Sequence, residues 1–275
     1  MNTIIVPTDF SENAFVAAQY AASLAQKNGS KLLLYHVYIV LYSGFEEKGV
    51  SVQHVEWANN EAANSMKTLL ETMRAQYPDV EIDGEYTRGF MIDALNDKLK
   101  SNKEINLVVM GTKGVTNLGE AIFGSTTYEV LKKAPIPVLV IPGDTPDFSM
   151  DHAGFFSDYN PHEIKLLQQA MDLLSPVKKF DVIHLVKDAN KDESAKGSDW
   201  KNNLDAAFPE KTIAIHVVPV EKVELKEVVS IAKEHNLDLL VFTRPHKPFF
   251  EKLFVKSLTK AVASYPVLPS LFLKE

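Results

Sequence analysis

The sequence predicts an α/β protein built as two tandem open parallel five-stranded sheets with helices on both faces. Three observations predict it. Short β-branched runs alternate with helix-length segments of 3–4 periodicity, the pattern of a parallel sheet covered by its crossover helices. The alternation occurs twice, and the second pass repeats the first. At 275 residues and 45% hydrophobic, the chain exceeds one typical domain of roughly 100–200 residues and has apolar mass for two cores.

In chain order, Ile4-Ile5-Val6 reads as a buried strand, closed by Pro7-Thr8-Asp9-Phe10-Ser11. Ser11 suits the N-cap of a helix from Glu12 to about Lys27, with Ala14, Ala17, Ala18, Ala21, Ala22 and Ala25 on its packing side. Asn28-Gly29 stops that helix. Lys31 to Tyr38 is a second buried strand, and residues 39–55 form a long excursion. A helix follows from Glu56 to about Gln76, with Ala62, Met66, Leu69, Leu70 and Met73 in register. Val80 to Thr87 is a third strand, polar at alternate positions and near an edge. Met91 to about Ser101 is a short helix, and Leu107 to Met110 is the fourth strand. After a loop, a helix from about Ser125 to Lys133 leads through Pro135-Ile136-Pro137 to the fifth strand, Val138 to Ile141. Residues 142–147, with Pro142, Gly143 and Pro146, read as a linker.

The repeat is visible residue by residue. Leu107-Val108-Val109-Met110 aligns with Leu239-Leu240-Val241-Phe242 at an offset of 132. The same offset pairs Ser125 with Ser257 and Pro137 with Pro269. Nearer the start the offset is 148–149, pairing Asp9-Phe10 with Asp158-Tyr159 and His36-Val37 with His184-Leu185. Two copies, 1–143 and 149–275, follow. They are not equivalent: of 12 glycines, only Gly154 and Gly197 lie in the second copy. Glycine is where backbone comes close to a ligand, so a phosphate site is expected in the first copy only.

Composition excludes several classes. Cysteine is absent, which removes disulfides, thiolate metal sites and a Cys nucleophile. The net charge is −7 without a Lys/Arg run, which argues against nucleic acid as a partner. No apolar stretch reaches ~18 residues, and the first residues lack a basic leader, so a cytoplasmic protein without membrane contact is expected. His54, His152, His162, His216, His235 and His246 show no metal-ligand spacing, so no metal site is expected. His36 and His184 are expected to pack against neighbours.

The segment that carries chemistry is Gly111-Thr112-Lys113-Gly114, nine residues, then Gly124-Ser125-Thr126. It is neither a dinucleotide fingerprint nor a Walker A loop. Gly111 falls where the fourth strand leaves the sheet, at the carboxyl edge where open sheets bind ligands. Gly111 and Gly114 can turn bare N–H groups to an anion, Gly124 can open a helix whose N-terminus favours phosphate, and Ser125 and Thr126 add hydroxyls. Lys113 adds charge. A purely structural account also stands. The glycines can serve a tight turn, and Thr126 with Glu129 can form a capping box. Asp9 can be a cap, an adenine contact, or both. In the second copy Gly111, Gly114 and Gly124 become Thr243, His246 and Lys256, so no nucleotide is expected there.

The chain resembles a tandem universal stress protein. Nucleotide-binding members carry G-x-x-G-x9-G-[ST], matched by residues 111–125, and a first strand ending in P-T-D, matched by Pro7-Thr8-Asp9. The resemblance implies a strand order of 3-2-1-4-5 and a bound ATP or AMP, with or without Mg2+. It implies that Thr8, Asp9 and Val37 hold the adenosine. Met110, Gly111, Lys113 and Gly114 would line the ribose and phosphate side, and Gly124, Ser125 and Thr126 the phosphates. The expected function is an adenine-nucleotide-binding stress or signalling module that biases a partner surface. The alternative is a nucleotide-free scaffold of the same fold. No catalytic constellation is apparent, so at most slow ATP hydrolysis is expected. An adenylating or pyrophosphatase-type enzyme would want a glycine-rich loop after the first strand, where Pro7 to Glu12 has none. Valine at Gly111 or Gly124 is expected to remove nucleotide binding without unsettling the fold. Members with one copy pair through the last strand. Here Val138-Leu139-Val140 can meet Leu271-Phe272-Leu273 within the chain as a pseudo-dimer, or the chain can form a homodimer.

Overall fold

A computed structural model of the chain describes residues 2–40, 52–112, 125–145, 148–186, 194–221, 225–244 and 268–274. Two compact units emerge: the first holds the described residues up to Gly143, and the second begins at Asp144.

The first unit runs β1 (Thr3–Pro7), α1 (Glu12–Asn28), β2 (Lys31–Tyr38), α2 (Val52–Gln76), β3 (Ile82–Arg88), α3 (Met91–Ser101), β4 (Ile105–Thr112), α4 (Ser125–Lys133) and β5 (Val138–Pro142). Its strands are all parallel in the order β3-β2-β1-β4-β5, so β1 is central. That place explains its composition: all five residues of β1 are buried, as both faces of the sheet are covered. β3, at the edge, alternates and stays half-polar. α1 begins where the Ser11 hydroxyl accepts the Ala14 N–H and ends at Gly29, whose φ of 71° closes the helix through a bond to Ala25. Its buried face is mostly alanine, which lets the helix lie close to the strands.

The second unit repeats the plan with β6 (His152–Phe156), α5 (Glu163–Leu173), β7 (Lys179–Val186), α6 (Ser194–Ala207), β8 (Ala214–Pro219), α7 (Leu225–Glu234), β9 (Leu239–Arg244) and β10 (Ser270–Lys274). Its parallel strands lie in the order β10-β9-β6-β7-β8, with β6 central. Phe155, Val182, Ile183, Leu239, Val241 and Leu271 form its core.

Three boundaries differ from the sequence reading. α2 starts at Val52, a turn before Glu56. β3 starts at Ile82, because the Val80 N–H is spent on a turn to the Tyr77 carbonyl. β4 continues through Gly111 and Thr112, which pair with Ile141 and Pro142 on β5. Gly111 is therefore a ladder residue, not the first residue of a loop. The segment 142–147, read as a linker, is partly structure: Pro142 ends β5 and the Gly143 N–H bonds to Thr112.

Candidate functional site

The carboxyl edge of the first unit is built around the turn between β1 and α1. Thr8 closes the ladder, its N–H 2.9 Å from the Tyr35 carbonyl. Its hydroxyl accepts the Phe10 N–H at 3.0 Å. Phe10 takes φ 63°, a left-handed conformation that side chains enter at a cost and that clusters at functional turns. The His36 ring holds it there, 4.4 Å from the Phe10 ring, with Nδ1 2.8 Å from the Thr8 carbonyl. Asp9 stands exposed on this turn, and its Oδ1 accepts the Ser11 N–H at 3.0 Å. The acidic side chain thus shapes the turn and faces outward at once.

Neighbouring strands bring the rest. Pro7 is buried opposite Tyr35, and Val37 is half-buried at the end of β2. Met110 is buried near the end of β4. α4 is anchored to the same edge by the Thr127 hydroxyl, 3.3 Å from the Gly111 carbonyl, which sets the first turn of α4 beside it. Ser125 is the first residue of that helix, and Thr126 is exposed in its first turn. Lys113, Gly114 and Gly124, and the side chain of Ser125, lie outside the described residues. The edge therefore gathers Thr8, Asp9, Val37, Met110 and Gly111, with Thr126 on the adjoining helix. Thr126 is not joined to Glu129 by a capping bond in this structure; Glu129 pairs with Lys133 at 3.0 Å instead.

Gly111 is corrected in its reason. A Cβ there would run into the backbone carbonyl of Asn13 in the first turn of α1. The missing side chain makes room for the first turn of α1. Valine at Gly111 therefore cannot be the silent substitution that the sequence suggested.

The second unit contains the same turn. Ser157 bonds to the Ile183 carbonyl at 2.9 Å and accepts the Tyr159 N–H at 3.0 Å. Tyr159 has φ 60°, its ring stacks 3.9 Å from His184, and His184 Nδ1 lies 2.7 Å from the Ser157 carbonyl. What differs is the filling. Glu163, only 3% exposed, turns its carboxylate back into the turn, taking the Ser157 hydroxyl and the N–H groups of Asp158 and Asn160. Burial raises its pKa above the usual carboxylate range, against the lowering pull of those donors. Trp200, 2% exposed, lies 5.4 Å from Tyr159 and donates its indole N–H to Asn160. In the first unit the residue at the place of Glu163 is Ala14. Neither Glu163 nor Trp200 was singled out from sequence, although Asn160 and Glu163 have the spacing of a capping box.

A family model described as the universal stress protein family matches residues 1–142. The chain belongs to the universal stress protein family. A universal stress protein of Methanocaldococcus jannaschii is 27% identical over 153 residues, 50% of this chain and 93% of that protein. One from Synechocystis is 30% identical over 145 residues, 51% of this chain and 85% of that protein. Each of these relatives thus corresponds to about half of the chain. A solved universal stress protein from Archaeoglobus fulgidus has a TM-score of 0.81 over 99% of this chain and 98% of that one, at 14% identity. At that identity the likeness is one of fold. Among the described residues no helix is long and apolar enough to cross a membrane.

Proposed function

We propose that the first unit binds an adenine nucleotide, ATP or AMP, at the carboxyl edge of its sheet, and that the second unit binds none. The observation that carries this is the pair of turns. Both turns expose an aspartate, Asp9 in the first and Asp158 in the second, and in the first Ala14 stands at the place of Glu163. In the second, the same turn is filled by the Glu163 carboxylate and backed by Trp200. Thr8, Asp9 and Val37 fit the nucleoside end: a polar turn with an outward carboxylate beside a half-buried apolar residue. The first turn of α4, held beside β4 through Thr127, suits a negative group. On the sequence motif, Lys113, Gly114, Gly124, Ser125 and Thr126 take the phosphates, with Mg2+ where the tail is long enough. Binding then alters a surface read by a partner protein in a stress response.

A nucleotide-free scaffold is the second reading, and the packing role of Gly111 favours it, because one motif glycine is accounted for without any ligand.

Calorimetry on the full chain separates the two. One equivalent of ATP per chain is expected, weakened about tenfold or more by Asp9→Ala, with the urea midpoint of the free protein shifted by less than ~0.5 kcal/mol equivalent. Two equivalents would contradict the single-unit reading, and no heat at millimolar ATP or AMP would leave the scaffold. Phosphate release is expected below the ~1 per second at which typical enzymes begin.

A further inference from the structure

We propose that the second unit carries a divalent transition-metal site, of the zinc class, formed by Asp181, His216 and His235. It lies at the amino edge of the second unit's strands, and it does not rest on the nucleotide reading. Three separate elements supply it: β7, β8 and the turn after α7.

The strand registers bring the side chains together. Lys179 pairs with His152 and Asp181 with Ala214, so His152 and His216 are diagonal neighbours of Asp181 on one face of the sheet. His235 is delivered by the end of α7. Asn236 takes φ 51° and the Leu237 N–H reaches the Ala232 carbonyl at 2.8 Å, a Schellman closure that fixes His235 as the C-cap. Leu237 then packs over Gly154, where any side chain would collide with it. The first unit has Ile5 at that position.

The donor geometry asks for a cation. Asp181 is 1% exposed, and its Oδ1 has no hydrogen-bond partner among the described residues. Its Oδ2 is crowded by Lys179 Nζ at 2.9 Å, His152 Nε2 at 3.0 Å and His216 Nε2 at 3.1 Å. One carboxylate oxygen offers about two lone pairs, so three donors oversubscribe it. His152 Nε2 is buried and makes no hydrogen bond in spite of its closeness. Ligands bound at about 2.0–2.1 Å in a tetrahedron stand roughly 3.3 Å apart, close to the spacings around Oδ2. His235 completes the set: its ring lies 4.2 Å from that of His216, and the ligand atoms of Asp181, His216 and His235 fall within 4.8 Å of one another. Lys179, half-exposed and flexible, is the resident cation that a metal would displace.

Two imidazoles and one carboxylate form a borderline nitrogen-rich set, suited to zinc or cobalt and unsuited to calcium or magnesium. Three protein ligands leave one position of a tetrahedral ion open, and the metal ties the end of α7 to β7 and β8. The first unit shows that the fold does not need these groups: the same registers put Thr3 and the buried Leu33 where His152 and Asp181 stand. A buried carboxylate in place of an aliphatic side chain is a cost that folding alone does not explain.

The test uses the full chain, stripped with chelator and titrated with Co2+ and then Zn2+. One Co2+ per chain with the visible bands of a four-coordinate nitrogen–oxygen site is expected. Displacement by Zn2+ at micromolar affinity and a rise in Tm on metal addition should follow. His216→Ala and His235→Ala should each weaken binding about tenfold or more. Absence of the bands and of any Tm rise in the wild-type chain would overturn the site. So would undiminished affinity in both variants, which would place the ion on other histidines such as His54 or His162. ATP binding is read in a separate titration, so either proposal can fail alone.

Discussion

The turn after β1 and the turn after β6 are the same object with different contents. Both hold an aromatic residue in a left-handed conformation, both stack it on a histidine, and both tie that histidine to the carbonyl that ends the strand. Both expose an aspartate, Asp9 and Asp158, but only the second folds a further carboxyl, that of Glu163, inward. The shared geometry belongs to the fold, since it survives where the filling is exchanged. The filling is where the two turns part, and the histidine is common to both.

The largest blow to this comparison comes from Trp200→Ala. Removing a fully buried tryptophan that packs on Tyr159 should cost about 3–5 kcal/mol in urea unfolding. A loss under about 1 kcal/mol would mean that the second turn is not sealed by this side chain. Gly111→Val comes next, at about 1–3 kcal/mol, because the new side chain must push α1 away at Asn13. Valine tolerated there at full stability would reopen the sequence expectation that this glycine faces a ligand.

The smallest effect is a pH trend. Burial raises the folded pKa of Glu163 above its unfolded value of about 4.3. The stability that its protonated form contributes is therefore complete below the unfolded pKa and disappears as pH rises through the folded one. Urea midpoints of the wild type should fall relative to Glu163→Gln between about pH 4 and neutrality. A constant gap across that range would show that the inward carboxyl titrates like an exposed one.

Much of this was legible in the sequence. α3 and α4 keep the bounds read from periodicity, as does β2. The pairing of Asp9-Phe10 with Asp158-Tyr159 located both turns before any coordinates. What was hidden is direction. A glycine in a string does not say which way its absent side chain would have pointed, and Gly111 points at a helix. The cluster around Asp181 was invisible for a related reason. Its three members come from three elements with no recurring spacing, and only the parallel register of β7 with β8 and the end of α7 bring them together.

Glu163 gives the C-terminal turn an occupant that cannot leave. A free metabolite comes and goes with its concentration, whereas a side chain on its own backbone is present at unit stoichiometry in every molecule. The chain then resembles a balance with one pan fixed by a standard weight, so that any change in reading comes from the other.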